Sequence, residues 1–155
     1  LSPCLPGESC VSTSSFKSPS QYLPPMQLPP GVSEDAAVAE LAAYITAKGG
    51  RVLERLEEDG MGGRYLRSEM AFRGEVDDVE WLFVGGGAVC FRAASREARA
   101  APPGCLRKGC INGPRNRARM EEVGNDLGWL PLETDEDKEW VQLLLHWGAV
   151  VVAGG

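Results

Sequence analysis

Six residues have types and spacing suited to holding an anion: Arg92, Ser95 and Arg96 in one short run, and Asn116, Arg117 and Arg119 in another. A guanidinium presents a planar fork of N–H donors that matches two oxygens of a carboxylate or phosphate, and Ser and Asn add neutral hydrogen bonds. If the runs lie side by side, they form a site for an anionic ligand or an acidic partner. The alternative is architectural, with Arg96 pairing Asp77 or Asp78 across strands and fixing sheet to helix. Asp77, Asp78 and Glu80 are the obvious carboxylate cluster. Paired carboxylates divide acid and base roles when their environments separate their pKa values. Alternation puts Asp78 and Glu80 on one strand face and Val79, Trp81 and Phe83 on the other. The single histidine, His146, adjoins Trp147 and has no Ser or Cys paired with it locally, so it reads as a packing residue rather than a ligand or base. Gly60–Gly63 and Gly85–Gly87 lack the flanks of a phosphate loop and read as turns.

The cysteines carry a second chemistry. Cys4 with Cys10, and Cys105 with Cys110, are close pairs among Pro and Gly, where turns can bring the sulfurs together. Two local disulfides and an oxidising compartment are expected, against the alternative of free thiols in a reducing one. The spacings fit a zinc site less well, because they are not repeated CxxC knuckles. Cys90, between Val89 and Phe91, reads as a small buried hydrophobe.

Elements that would position these residues follow from periodicity. Residues 1–31 are rich in Pro, Gly and Ser, so an extended arm is expected there. Ser33 is a capping residue followed by Glu34 and Asp35, and then by Val38, Leu41, Ala42 and Ile45 at helical spacing, with Gly49 and Gly50 as the stop. Arg51–Leu56 reads as a strand. Leu66, Ser68, Met70 and Phe72 share one strand face, Val79, Trp81 and Phe83 repeat the pattern, and Gly85–Gly87 turns the chain into Val89, Phe91 and Ala93. A second helix starts near Pro114, with Met120, Val123 and Leu127 as its buried stripe. The resulting fold class is α+β: about four antiparallel strands covered on one face by two helices, an extended N-terminal arm and an apolar C-terminal tail. The domains expected are the arm at 1–31, an α+β domain at 32–127, and an acidic linker with an apolar docking segment at 128–155.

The 155 residues suit one core, and 43% hydrophobic with 25% charged residues excludes both wholesale disorder and a bundle of membrane helices. No apolar run reaches the roughly 18–20 residues of a membrane span. A net charge of −6 argues against a dedicated nucleic-acid binder. Charge is nevertheless segregated: residues 92–119 carry a balance of +7 and residues 121–139 one of −7; either both are solvated faces that partly neutralise one another, or the basic stretch recognises an anion or an acidic partner. In the tail, Trp140, Leu144 and Trp147 are candidates for docking, because indoles and leucines suit a subunit contact or a membrane interface. Completing the domain's own core is the other reading.

Several strings stand in order along the chain: Pro3-Cys4, Cys10-Val11-Ser12, Tyr22-Leu23-Pro24-Pro25, Tyr65-Leu66-Arg67-Ser68-Glu69, Asp77-Asp78-Val79-Glu80, Arg92-Ala93-Ala94-Ser95-Arg96 and Asn116-Arg117-Ala118-Arg119-Met120-Glu121. Together they resemble the family called domain of unknown function 1499 over roughly residues 3–127. The resemblance implies occurrence in bacteria and plastids, with photosynthetic members directed to the thylakoid lumen, and it brings no established catalytic mechanism. Here Glu97–Gly113, with Pro102, Pro103, Cys105 and Cys110, is longer than the short connection usual in the family. Residues 128–155 lie beyond the family's usual end.

What the resemblance implies, taken with the cysteine pairs, is a non-enzymatic accessory or assembly subunit of a photosynthetic membrane complex, docked on its lumenal side. A chain that begins at Leu1 rather than Met reads either as a processed mature chain or as a trimmed one, with any targeting peptide already gone. The expected partners are photosystem core or antenna subunits, with peripheral membrane contact, no nucleic acid and no cofactor. The alternative is a soluble anion- or lipid-binding domain, or an enzyme, using the Arg-rich site.

Overall fold

The computed structural model describes residues 1–6, 8–18, 20–56, 63–72, 74–96 and 114–132. Ser33 opens α1 (Glu34–Ala47): its Oγ accepts the Ala36 N–H at 3.2 Å, and Glu34 and Asp35 meet the positive end of the helix. The helix ends where Gly49 takes φ +78°, a conformation costly for residues with a Cβ. Gly49 N–H then donates to the Thr46 carbonyl at 3.0 Å and Gly50 N–H to the Ile45 carbonyl at 2.8 Å, so the last turn keeps its partners.

Four strands follow, each paired antiparallel with the next: β3 (Arg51–Leu56), β4 (Arg64–Phe72), β5 (Glu75–Val84) and β6 (Ala88–Ser95). Val84 pairs with Ala88 across the Gly85–Gly87 turn, where Gly86 and Gly87 both have positive φ. Pairings such as Ser68 with Val79 and Trp81 with Phe91 set the register. They bring Leu66 and Met70, Val79, Trp81 and Phe83, and Val89, Phe91 and Ala93 onto one buried face. α2 (Pro114–Leu127) begins at the expected proline and adds Met120 and Val123 to the same core.

Among the described residues seven strands form, not about four. The N-terminal residues supply β1 (Cys10–Ser12) and β2 (Met26–Gln27), which pair side by side along the edge of β6 that β5 leaves open: Val11 opposite Ala93, and Met26 opposite Val89. β7 (Leu130–Pro131) then pairs with β2. Val11, Leu23, Met26 and Leu28 enter the common core. Strands of two or three residues are too short for alternation to reveal, and their partners lie far along the chain.

The covering layer also differs from a simple pair of helices. α1 packs over β3 and β4, while α2 packs against β6, β1 and β7. Trp129, just past α2, stands edge-on to Trp81 and Phe83 of β5, with ring centroids 6.4 and 5.9 Å apart. The helices therefore cover opposite sides of the sheet's inner face, and an indole meets the strand between them. Among the described residues, no helix is long and apolar enough to cross a membrane.

Cys4 and Cys10 form a disulfide, with sulfurs 2.02 Å apart. Cys90 is a free thiol and only half-buried, because its place in β6 puts it opposite Leu82, away from the face that carries Val89 and Phe91. Cys105 and Cys110 lie outside the described residues, as do Trp140, Leu144 and Trp147.

Candidate functional site

The six polar candidates separate into three groups. β6 and α2 do lie against one another, yet alternation along β6 sends Ser95 toward the helix side and Arg92 and Arg96 to the other face. Arg117, on α2, donates through Nε to Glu121 at 2.8 Å, one turn further on and exposed.

Ser95, Asn116 and Arg119 meet at the end of β5 and β6, under the first turns of α2, and build a closed network with residues the sequence did not single out. Its centre is Asp77, only 1% exposed although ionisable. Arg119 donates to one carboxylate oxygen of Asp77 and Arg115 to the other. Arg115 also pairs with Glu75 and reaches Ser95 Oγ at 3.4 Å. The second arm of Arg119 donates to Asn116 Oδ1 at 3.2 Å. Asn116 Nδ2 in turn donates to the Ser9 carbonyl at 2.9 Å and to Ser95 Oγ at 3.0 Å. The Ser9 carbonyl also accepts the Ser95 N–H at 2.8 Å. Burial pulls the Arg119 guanidinium pKa down, and Asp77 opposes that pull.

A hydroxyl becomes a nucleophile when a neighbouring base takes its proton. Ser95 Oγ is instead aimed at by two donors, Arg115 and Asn116, which engage its lone pairs. The network therefore joins four segments, the approach to β1, β5, β6 and α2, by hydrogen bonds that each fix a position. Buried ion pairs of this kind add little net stability but are costly to break.

On the opposite face the arginines form a lattice with carboxylates of neighbouring strands. Arg96 grips both oxygens of Asp78, at 3.1 and 2.9 Å, and reaches Glu69 at 2.5 Å. Arg51 holds the second oxygen of Glu69 at 2.8 Å. Arg92 donates to Glu8 at 2.6 Å and lies 3.6 Å from Glu80, which also accepts the Tyr65 hydroxyl at 2.8 Å. Asp78 and Glu80 thus share this face, as alternation implies, whereas Asp77 is separated from them on the inner side. Burial and the Glu80 hydrogen bond push the Tyr65 phenol up. A similar tie joins the helices: Lys48 contacts Glu122 and Asp126 at 2.8 and 3.0 Å, and Tyr44, its pKa pushed up to about 12 chiefly by burial, donates to Asp126.

Hydrogen bonds from Arg96 hold both Glu69 and Asp78 below the ordinary carboxylate range. A depressed folded pKa contributes stability that is present above the unfolded value and lost as pH falls through the folded one. The lattice is therefore expected to weaken only below about pH 4. Carboxyl-detected NMR titration should find both groups titrating below their ordinary values, and Arg96→Gln should raise both. Unchanged titration in that variant would show that the arginine does not set them.

Ser9, Glu75 and Arg115 are the network members that sequence reasoning missed. The signal for Asp77 was its place in the series Asp77, Val79, Trp81, Phe83, since a carboxylate on an apolar face requires a buried partner.

A family model described as protein of unknown function (DUF1499) matches residues 1–127, from the start of the chain to the last residue of α2. Comparisons with curated proteins and with solved structures find no match.

Proposed function

This chain belongs to the DUF1499 family of proteins of unknown function, and from that premise we propose that it is a non-catalytic accessory or assembly subunit of a photosynthetic membrane complex, docked on the lumenal side. The observation that carries the non-catalytic reading is the division of the arginine constellation between two faces and its engagement by internal carboxylates: Asp77 for Arg119, Asp78 and Glu69 for Arg96, Glu8 for Arg92, and Glu121 for Arg117. An anion-binding or enzymatic role built on the same arginines would have to displace those partners.

The compartment is argued from the Cys4–Cys10 disulfide, which belongs to an oxidising environment, and from the plastid-type resemblance. Docking is assigned to the sequence beyond the family match, where Trp140, Leu144 and Trp147 supply two indoles and a leucine, residue types that dominate subunit contacts when desolvated. Photosystem core or antenna subunits are the partners proposed.

The test is comigration of the full chain with a photosystem after detergent solubilisation and separation by size, with cross-linking in intact membranes to identify the neighbour. Trp140→Ala with Trp147→Ala is expected to lower the bound fraction about tenfold or more. Persistent recovery of the wild-type chain as a free monomer would exclude the assignment.

A further inference from the structure

Two large apolar side chains near the N-terminus stand in solvent. Leu5 is 67% exposed and Phe16 is 57% exposed. They emerge from two segments that are tied together. The Cys4 N–H donates to Ser15 Oγ at 2.8 Å, so Leu5 and Phe16 each follow a member of a bonded pair. Gln21 Nε2 donates to the Leu5 carbonyl at 2.9 Å, Ser12 Oγ donates to the Ser2 carbonyl at 3.1 Å, and the Cys4–Cys10 disulfide joins the first segment to β1. Further turns, with Ser15 N–H bonded to Ser12 and Ser18 N–H bonded to Ser15, fix the second segment. Two apolar tips held by this many bonds lose little freedom when they are buried.

From this we infer that Leu5 and Phe16 insert into the interfacial region of a lipid bilayer and that the exposed Lys17 beside them meets anionic headgroups. Charge supports a lipid occupant. Residues 1–33 contain one acid, Glu8, whose carboxylate accepts the Leu5 N–H at 2.9 Å and pairs with Arg92 at 2.6 Å, and the exposed cation that adjoins Phe16 in sequence is Lys17. Area supports it as well. A stable protein–protein contact buries about 800 Å² on each partner, far more than two side chains offer, whereas reversible interfacial attachment needs only a few apolar side chains and a nearby cation. The inference does not depend on the photosynthetic assignment, since it concerns a lipid surface and not a subunit.

The test is flotation of the full-length, oxidised chain with vesicles of phosphatidylcholine alone and of phosphatidylcholine with phosphatidylglycerol. Leu5→Ser with Phe16→Ser is expected to lower the bound-to-free ratio about tenfold or more on both compositions. Lys17→Gln is expected to lower it about fivefold on the anionic vesicles and to leave it unchanged on the neutral ones. Leu130→Ser is the control: that leucine is 69% exposed but lies on β7, beside β2, which pairs with the opposite end of β6 from β1. It should change nothing. All four side chains are exposed, so thermal midpoints should match and confirm intact folding.

Wild-type chain that does not float, a double variant that floats like wild type, or an equal loss in Leu130→Ser would each overturn the inference. So would a double variant that keeps vesicle binding but loses comigration with its protein complex, because the tips would then contact protein. The vesicles contain no other protein, so their result is separate from the comigration experiment.

Discussion

Asp77→Ala is expected to destabilise the fold by about 3–5 kcal/mol, because it leaves buried guanidinium groups without their shared carboxylate. Arg119 is 1% exposed and would retain the Asn116 oxygen but lose the Asp77 charge, while Arg115 would keep Glu75. A loss of that size is a large part of the 5–15 kcal/mol that ordinarily holds a domain folded. Urea denaturation followed by circular dichroism should show the midpoint falling with little change in slope. The decisive comparison is the double replacement Asp77→Leu with Arg119→Met, which removes the charge and its partner together and should cost clearly less than Asp77→Ala. Additive losses would mean that the two residues act separately and that the network does not pin α2 to the sheet.

Trp81→Ala should be comparably severe, at about 3–5 kcal/mol. The indole is fully buried in the middle of β5, 6.1 Å from the Phe91 ring and 6.4 Å from Trp129, and its N–H donates to Ser68 Oγ at 3.3 Å. Removing it opens a cavity where the sheet meets Trp129, and also takes one partner from Ser68. Near-ultraviolet circular dichroism should lose the fixed aromatic signal, and thermal unfolding should begin at lower temperature. Trp81→Phe keeps most of the apolar area and should cost about 1–2 kcal/mol. If both variants unfold like wild type, the aromatic group is not the centre of the core.

Much of the inner face was legible because its signals are local. Ser33 and Pro114 mark the helix starts, glycines mark the end of α1 and the β5–β6 turn, and alternation in β4, β5 and β6 gives the buried face. The expected convergence of six polar residues fails for the same reason that the face was readable. In a strand, Arg92 and Arg96 share one parity and Ser95 has the other, so they cannot all point to one ligand. The short strands were illegible on different grounds. Val11 meets Ala93 across more than half the chain, and nothing local in Cys10–Ser12 announces that pairing. Asp77 shows both sides: its parity was available, but adjacency counted it in one cluster with Asp78 and Glu80, which lie on the other face.

The placement of β1 and β2 along β6 has a consequence for biogenesis. Both segments precede their template along the chain, and residues 88–95 must form β6 before either can pair. Cys4 and Cys10, only six positions apart, need no such wait and can be oxidised before β6 has formed. Covalent closure can thus precede assembly of the edge, and β1 would arrive at β6 with its leading turn already formed.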